Sequence, residues 1–361
     1  MSRVIIASLK FSPGHINHIE AFGKGFGRLG HDVEYILARE YQALAGQLSA
    51  YGQVRYVSKY DRDIGEPNRG DQAGLMVLMN PALLNVRIAR KYQRLGARVV
   101  YLYHEPWRGA KYYARLGIRS LLRAPIIRLA TIGLLRHTDI VVVPSNTALT
   151  LYQQRSSRYN GQVRVIPLLF VDRYDEQSAP PGPGERKYIS FIGHAVREHH
   201  LELFCQVVDY AAQVGIANGM RFLVATSSKL SRKQLDMLRV HERNGLVDLR
   251  SGEVLDSDTI DWCFRSSLVV WNVYASSTQS GVMAQAFMHG TPVIASKIGG
   301  LAEYVEPGVN GEFVSSAEPA AILEAINRIV NNEARYIAGA RRTFLRQFEV
   351  TRHVDRLKEL L

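Results

Sequence analysis

The chain has 361 residues, 47% of them hydrophobic, which is enough for two domains with full cores. Only Cys205 and Cys263 are present, so a disulfide scaffold is excluded and a reducing compartment is favoured. The formal net charge is +12, which predicts an anionic partner. Because no zinc-finger spacing, RNP motif or long basic tail occurs, a membrane surface or a phosphorylated substrate is favoured over nucleic acid.

Strand-like runs alternate with helical segments through the first half of the chain. Continuous Val, Ile and Leu runs bounded by turns are typical of buried parallel strands. The helices between them predict a doubly wound α/β domain over residues 1–170. The first run is also too short for a signal peptide, and no apolar run approaches the roughly 20 residues that span a bilayer. The predicted strands are 3–8, 32–38, 54–58, 74–79, 97–103, 139–144 and 164–169.

A segment rich in Pro, Gly and charge, residues 171–186, predicts a linker between two domains. A second alternating series follows it and predicts another α/β domain over 187–347. Such domains are expected to face each other across a cleft, with ligands at the carboxyl ends of the strands. The predicted strands of the second series are 187–193, 220–226, 247–251, 267–273, 291–296 and 311–315, and about 317–361 is predicted to be helical.

Two loops of the first domain carry side chains suited to chemistry. His104 follows a predicted strand at the end that faces a cleft, where an imidazole suits proton transfer or hydrogen bonding. In the loop after the first strand, a glycine lets the backbone approach a ligand closely. An ordinary turn and a helix-capping histidine are the structural alternatives. The candidate residues of these loops are Gly14, His15, Asn17, His18, His104 and Glu105.

The segment 107–137 contains seven Arg or Lys residues and no acidic residue. Apolar and aromatic residues are mixed among them, and Pro125 predicts a break between two helices. This composition is typical of a helix that lies in a membrane interface. The alternative is a core helix whose basic face is solvated. The residues predicted to meet an anionic membrane are Trp107, Arg108, Lys111, Arg115, Arg119 and Arg123.

Residues 280–314 are the most informative stretch of the chain. Ser280 and Gly281 begin a short predicted helix that ends at Gly290, an apolar strand-like run follows, and then a glycine pair. A glycine turn before a helix presents free backbone N–H groups, and the helix dipole adds partial positive charge. Together these features predict a phosphate or diphosphate site, and hence a nucleotide ligand.

This stretch resembles the C-terminal signature of the family-4 glycosyltransferases, which have the GT-B fold. The resemblance implies an α/β protein with two Rossmann-like, doubly wound parallel-sheet domains facing a cleft. It departs from the family in the acidic pair, because Gln285 occupies the second Glu position and no residue at 277–279 is acidic. The matching positions are Gly290, Thr291, Pro292, Val293, Ile294, Ala295, Gly299, Gly300, Glu303, Val305, Gly308 and Gly311.

The resemblance also implies roles for single residues. His104 would lie beside the donor sugar, and the loop at Gly14 would approach the donor phosphates and the acceptor. The family's cationic clamp for the diphosphate falls at 191–204, where Arg197 is the best candidate in this chain. Gln285 would contact the ribose. The implied donor-binding set is Gly14, Gly193, His194, His199, Ser280, Gly281, Val282, Met283 and Gln285, and the implied acceptor or loop set is His15, Asn17, His18 and Glu105.

The expected function is transfer of a sugar from a nucleotide-sugar donor to a hydroxyl acceptor, with retention at the anomeric carbon and no metal or other cofactor. The first domain, with a helix of about 348–361 crossing back onto it, would supply the acceptor. The basic segment favours a lipid-linked glycan of bacterial surface polysaccharide synthesis, used by a cytoplasmic protein peripheral at the inner face of the cell membrane. A non-catalytic GT-B scaffold or binding subunit, or a nucleotide-sugar epimerase, is the alternative.

Overall fold

The computed structural model describes residues 2–44, 46–58, 73–115, 117–159, 162–174, 178–215 and 219–361. The chain divides into two compact units: unit 1 is Met1–Val171 with Phe348–Leu361, and unit 2 is Asp172–Gln347. The side chain of Arg119, one of the predicted membrane residues, lies outside what the structure describes.

Unit 1 is built on a sheet of seven strands, all parallel in the register the structure gives. Its order, β3-β2-β1-β4-β5-β6-β7, reverses direction between β1 and β4. The central strands are buried on both faces, which explains why they read as unbroken apolar runs. The strands are β1 Arg3–Ser8, β2 Asp32–Ala38, β3 Gln53–Val57, β4 Ala73–Leu78, β5 Arg98–Leu102, β6 Ile140–Val143 and β7 Val163–Val165.

Helices cover both faces of this sheet. The helices of the chain's first half are α1 Ile16–Arg28, α2 Leu83–Arg94, α3 Ala110–Arg115, α4 Ile118–Leu135 and α5 Asn146–Arg155. The core under α1 joins residues such as Ile19 and Phe22 to Val4 and Ile6 of β1. The core on the opposite face joins side chains of α2, α4 and α5 to the alternate strand residues.

The C-terminal segment belongs to unit 1. A 3₁₀ helix, Val350–His353, leads into helix α13, Val354–Lys358. Leu357 and Leu360 are fully buried in the core under α1. The amide of Phe170 donates to the carbonyl of Phe348 at 2.8 Å, which ties this segment to the end of the first series.

Unit 2 contains a parallel sheet of six strands in the order β10-β9-β8-β11-β12-β13. Its direction reverses between β8 and β11. The strands are β8 Tyr188–Ile192, β9 Arg221–Thr226, β10 Val247–Ser251, β11 Ser267–Asn272, β12 Val293–Ala295 and β13 Gly311–Phe313. The helices are α6 Leu201–Val214, α7 Arg232–Arg243, α8 Ser257–Arg265, α9 Gly281–Met288, α10 Leu301–Tyr304, α11 Pro319–Val330 and α12 Glu333–Gln347.

The predicted fold class is confirmed, because both units are Rossmann-like parallel sheets with helices. The predicted helix break at Pro125 is wrong. Pro125 lies inside α4, and the break between α3 and α4 falls at Gly117, which has a φ of +103°. A backbone in that region strongly favours glycine, whereas an exposed proline is tolerated in a helix that its buried face holds in place.

Candidate functional site

The best-formed candidate site lies in unit 2, at the reversal of strand order between β8 and β11. In open parallel sheets, ligands bind outside the carboxyl ends of the strands at such a reversal. The loop after β8 carries Gly193, His194 and Arg197, and the loop after β11 leads into α9. The topology therefore brings two separate predicted donor segments to one edge of one sheet.

The start of α9 is held by a buried polar pair. The Ser280 hydroxyl accepts the N–H of Met283 at 3.1 Å and donates to Oδ1 of Asn272 at 2.8 Å. Asn272 ends β11 and is fully buried. The first N–H groups of a helix have no acceptor within the helix, so Gly281 and Val282 present theirs at this edge. These donors and the helix dipole are suited to binding an anion.

Gly193 brings the loop after β8 against that helix start. Its φ is +108°, and a Cβ at this position would lie 3.1 Å from Cγ2 of Val282. A side chain is therefore disfavoured by backbone conformation and by space together. Two residues of the predicted donor set, 89 positions apart in the sequence, are thus neighbours in the fold.

The histidine-rich loop after β8 is tied to the loop after β11. The ring of His199 donates from Nδ1 to the carbonyl of His194 at 2.6 Å and stacks on Tyr274, with ring centroids 4.2 Å apart. Trp271 donates its indole N–H to the carbonyl of His199 at 3.0 Å. Burial lowers the pKa of His199 below 6.5, so its ring is neutral at pH 7.

Arg197 is exposed at the start of the 3₁₀ helix Arg197–His199. Among the residues that the structure describes, no carboxylate forms an ion pair with it. His194 is also exposed on this loop. An exposed guanidinium with no carboxylate partner is suited to an incoming anionic ligand, because nothing neutralises it beforehand.

The region of the missing acidic pair is a compact polar turn. Ser277 donates its hydroxyl to the carbonyl of Gln279 at 2.7 Å, and its own carbonyl accepts the N–H of Gly300 at 3.2 Å. The backbone of Thr278 approaches Gly300 so closely that a Cβ there is excluded, which explains the second glycine of the pair. Gln285 lies on α9 and is half-buried. It provides an amide group where the family has its second acidic residue.

Unit 1 brings three predicted histidines together. The ring centroids of His15 and His104 are 4.7 Å apart, and those of His18 and His104 are 5.6 Å apart. His18 is buried and donates from Nδ1 to the carbonyl of Leu169 at 3.0 Å. Burial lowers the pKa of His15 to about 3 and that of His18 to about 4, and it holds the pKa of His104 well below 6.5. All three rings are therefore neutral at pH 7.

The loop between β1 and α1 rests on polar residues that sequence reasoning missed. The Tyr41 hydroxyl lies 3.0 Å from Oγ of Ser8 and accepts the N–H of Ser12 at 3.0 Å. Asn80 donates to Ser8 and to the carbonyl of Lys10, both at 3.2 Å. These contacts join residues 33 and 72 positions apart. The only signal in the sequence is a polar residue directly after a buried strand, as at Asn80.

The other predicted loop residues are less constrained. Gly14 is exposed, and a Cβ there would meet nothing within 4 Å, so the local structure gives no steric reason for a glycine. Asn17 is half-buried at the start of α1, and Glu105 is exposed after β5.

The predicted membrane segment forms an exposed basic and apolar surface. Trp107 stacks on Tyr113 with centroids 4.6 Å apart, and the Arg108 guanidinium lies 4.8 Å from the ring of Tyr112. Lys111, Arg115 and Arg123 are exposed. On α4, five large apolar side chains are between 36% and 69% exposed, and we call them the α4 stripe: Ile118, Leu121, Leu122, Ile126 and Leu129.

No helix in the described part of the chain is long and apolar enough to cross a membrane. Nor do three or more His, Cys, Asp or Glu side chains among the described residues form a group that would hold a metal ion.

Comparison with known proteins shows which family and which relatives this chain is similar to. Residues 186–332 match the family described as glycosyl transferases group 1. D-inositol 3-phosphate glycosyltransferase of Nocardioides sp. is 38% identical over 82 residues, a stretch that covers 22% of this chain and 18% of that relative. The chain thus matches less than a fifth of the length of this curated relative.

Two solved structures match the whole chain in fold. Sucrose-phosphate synthase from Thermosynechococcus elongatus has a TM-score of 0.72 and 16% identity, covering 100% of this chain and 98% of that one. Anabaena HepE in complex with UDP-glucose has a TM-score of 0.69 and 15% identity, covering 99% of both chains. The structures confirm the GT-B fold. The family match, which covers residues 186–332, confirms the predicted resemblance for unit 2.

Proposed function

We propose that this protein transfers a sugar from a nucleotide-sugar donor to the hydroxyl group of a lipid-linked glycan, with retention at the anomeric carbon and without a metal. The observation that carries the proposal is the anion site at the reversal point of unit 2, where Gly193 meets the start of α9. The family match covers this same unit. Anabaena HepE, which shares the fold, binds UDP-glucose.

In this proposal the donor diphosphate accepts hydrogen bonds from the amides of Gly281 and Val282, and Arg197 neutralises the charge that develops on the leaving group. Preorganised donors of this kind stabilise the transition state more than the ground state. The polar side chain of Gln285 contacts the ribose in place of a carboxylate. His194 and His199 shape the same loop, with His199 locked against Tyr274.

Unit 1 supplies the acceptor side of the reaction. The depressed pKa of His104 keeps its ring neutral, so it acts as a hydrogen-bonding group toward the sugar and not as a cation. The buried contacts of Tyr41 and Asn80 hold the adjacent loop, which contains His15 and leads to Asn17 at the start of α1.

In this proposal the surface of α3 and α4 binds an anionic membrane that contains the acceptor. Positions 118, 122, 125 and 129 recur at spacings of four, three and four, so they share one helix face. That face is apolar and exposed, although the opposite face of α4 packs on the core through Leu134 and Leu135. An exposed apolar face beside exposed Lys and Arg is typical of a helix bound in the headgroup region. We therefore propose a peripheral location at the inner face of the cell membrane, with a bacterial surface glycan as the acceptor.

The test combines donor binding with turnover. Thermal unfolding is measured against UDP-, GDP-, ADP- and dTDP-sugars, and nucleotide release from the stabilising donor is then followed with a membrane lipid extract as acceptor. We expect one nucleotide class to raise Tm, and Arg197→Ala to lower turnover by about 100-fold at unchanged stability, as removal of a single transition-state donor does.

The matched control is Arg232→Ala, which removes an exposed arginine from α7 in the same unit. It should leave turnover unchanged. Equal turnover in Arg197→Ala and wild type would remove Arg197 from the site.

A non-catalytic scaffold is the second candidate. It is favoured by one observation, the absence of a carboxylate at 277–279 and at Gln285. Under this alternative no nucleotide sugar raises Tm, and the protein binds a partner of the polysaccharide machinery instead.

A further inference from the structure

Unit 1 contains a cavity of about 270 Å³ away from the histidine cluster. It is lined by Trp107, Arg128 and residues 153–158, which include the last three residues of α5. The volume lies just below the usual range of ligand pockets, about 300–1,000 Å³, so it suits a compact group better than a whole nucleotide sugar.

The lining of this cavity is strongly basic. Arg128, Arg155 and Arg158 all contribute to it, with glutamine and serine side chains between them and no carboxylate. Among the described residues, none of these arginines forms an ion pair. Residues 106–171 carry ten Lys or Arg and a single acidic residue, Asp139, so nine of the net twelve positive charges of the chain lie in this region.

Three arginines of this region lie close together around the ring of Tyr159. The guanidinium carbons of Arg128, Arg136 and Arg158 lie 5.5, 5.8 and 4.8 Å from the ring centroid of Tyr159. Arg128 also lies 5.3 Å from Trp107 and donates from Nη2 to the carbonyl of Arg155 at 3.0 Å. Its buried Nη1 has no hydrogen-bond partner among the described residues. Clustered like charges repel, so an anion bound between the arginines would relieve their electrostatic repulsion.

The cavity adjoins the α4 stripe. Arg128 lies in the cavity wall, and the next residue, Leu129, is 66% exposed within the stripe. An anion held by the arginines would thus sit beside a surface suited to acyl chains. A dianionic phosphate fits the forked donors of several guanidinium groups better than a carboxylate does, because it offers more acceptor oxygens.

We propose that this cavity binds the phosphate of an anionic lipid headgroup while the α4 stripe contacts the acyl region. The inference rests on the membrane contact of the proposed function. It adds a phosphate-specific site to what would otherwise be non-specific attraction between a basic surface and an acidic membrane.

The test compares two kinds of phosphatidylcholine vesicle with equal zeta potential. One is doped with phosphatidic acid and the other with a fatty acid. Co-sedimentation of the full chain should show at least tenfold tighter binding to the phosphatidic acid vesicles. The double variant Arg155→Gln, Arg158→Gln should bring the two affinities to within about twofold of each other.

A control variant removes an equal number of positive charges from the opposite face of the sheet: Arg28→Gln with Lys358→Gln. It should keep the preference for phosphatidic acid. Equal wild-type binding to both vesicles would overturn the phosphate site but leave the membrane contact standing, and binding to neither would overturn both. Calorimetry with glycerol 3-phosphate distinguishes a lipid phosphate from a soluble phosphate. An affinity equal to that for the phosphatidic acid vesicles would assign the cavity to a soluble phosphate and overturn the lipid assignment.

Discussion

At the scale of single residues, the candidate donor site depends on positions where a side chain is excluded. Gly193 combines a positive φ with a neighbour 3.1 Å from any added Cβ. The requirement for glycine at position 193 therefore comes from the contact with Val282 as well as from the backbone conformation. The two contributions can be separated by substitution.

Gly193→Ala should weaken nucleotide binding by tenfold or more, because the new methyl group pushes the start of α9 away from the diphosphate. The backbone strain alone should lower the free energy of unfolding by about 1 kcal/mol. Gly245→Ala is the control, since Gly245 has a φ of +72° and open space around it. It should show the stability loss without the loss of affinity in calorimetry. Equal affinities in the two variants would contradict the assigned contact.

The histidine cluster makes unit 1 sensitive to acid. A pKa of His18 near 4 in the folded state, against 6.5 when unfolded, means that the folded protein favours the neutral ring. This stability is fully present above pH 6.5 and is lost as the pH falls toward 4. From pH 7 to pH 5, His18 alone should lower the free energy of unfolding by about 2 kcal/mol.

His18→Gln can still donate to the carbonyl of Leu169, but it does not titrate. Urea unfolding at several pH values should therefore give a shallower decline between pH 7 and 5 than wild type does. His31→Gln, which alters a surface histidine bonded to Ser2, should keep the wild-type slope. A slope unchanged in His18→Gln would show that the buried ring does not control acid stability.

At the scale of elements, the strands could be predicted almost completely and the polar contacts could not. Each predicted strand appears within a few residues of its expected bounds. The central strands are buried on both faces, so they read as apolar runs. Contacts between distant residues leave no such periodic trace. Arg186 is buried and donates to Thr291, 105 positions away, and to the carbonyl of His289, yet in the sequence it looks like one more charge in a linker.

The site was predictable to the same extent. A glycine turn before α9 has a local signature, so this candidate anion site could be predicted from the sequence. The meeting of Gly193 with Val282 depends on strand order, which no local pattern specifies. The helix break at Gly117 was missed because proline and glycine compete as breakers, and only the buried face of α4 decides between them.

The α4 stripe predicts a membrane phenotype that leaves the fold intact. Leu122→Gln with Leu129→Gln should reduce partitioning onto anionic vesicles by at least tenfold, because burying one leucine side chain contributes about 1.5–3 kcal/mol. Both residues are more than 60% exposed, so the free energy of unfolding should change by under about 0.5 kcal/mol.

Its control is Val240→Gln with Val254→Gln, two exposed apolar residues of unit 2. This variant should partition like wild type in vesicle flotation. Equal losses in both double variants would mean that apolar exposure in general, and not the α4 stripe, governs attachment.

At the scale of the whole molecule, the two units contain different shares of the predicted donor contacts and should respond differently to a donor ligand. Nearly all predicted donor contacts lie in unit 2, and Gly14 and His104 are the exceptions in unit 1. Each unit has its own parallel sheet and its own buried core. A nucleotide sugar should therefore stabilise unit 2 directly.

Native-state hydrogen exchange resolves this response along the chain. With the donor at about 100 times its Kd, the opening free energy of amides in β8 and β11 should rise by about 2.7 kcal/mol. Amides in β1, β4 and β5 should rise far less, because only Gly14 and His104 of their unit are predicted to contact the donor. Gly193→Ala, with tenfold weaker binding, should reduce the rise to about 1.4 kcal/mol at the same donor concentration. A uniform rise in both sheets would instead mean that the units unfold as one cooperative body, and the donor site could then be placed only by the variants and not by the exchange map.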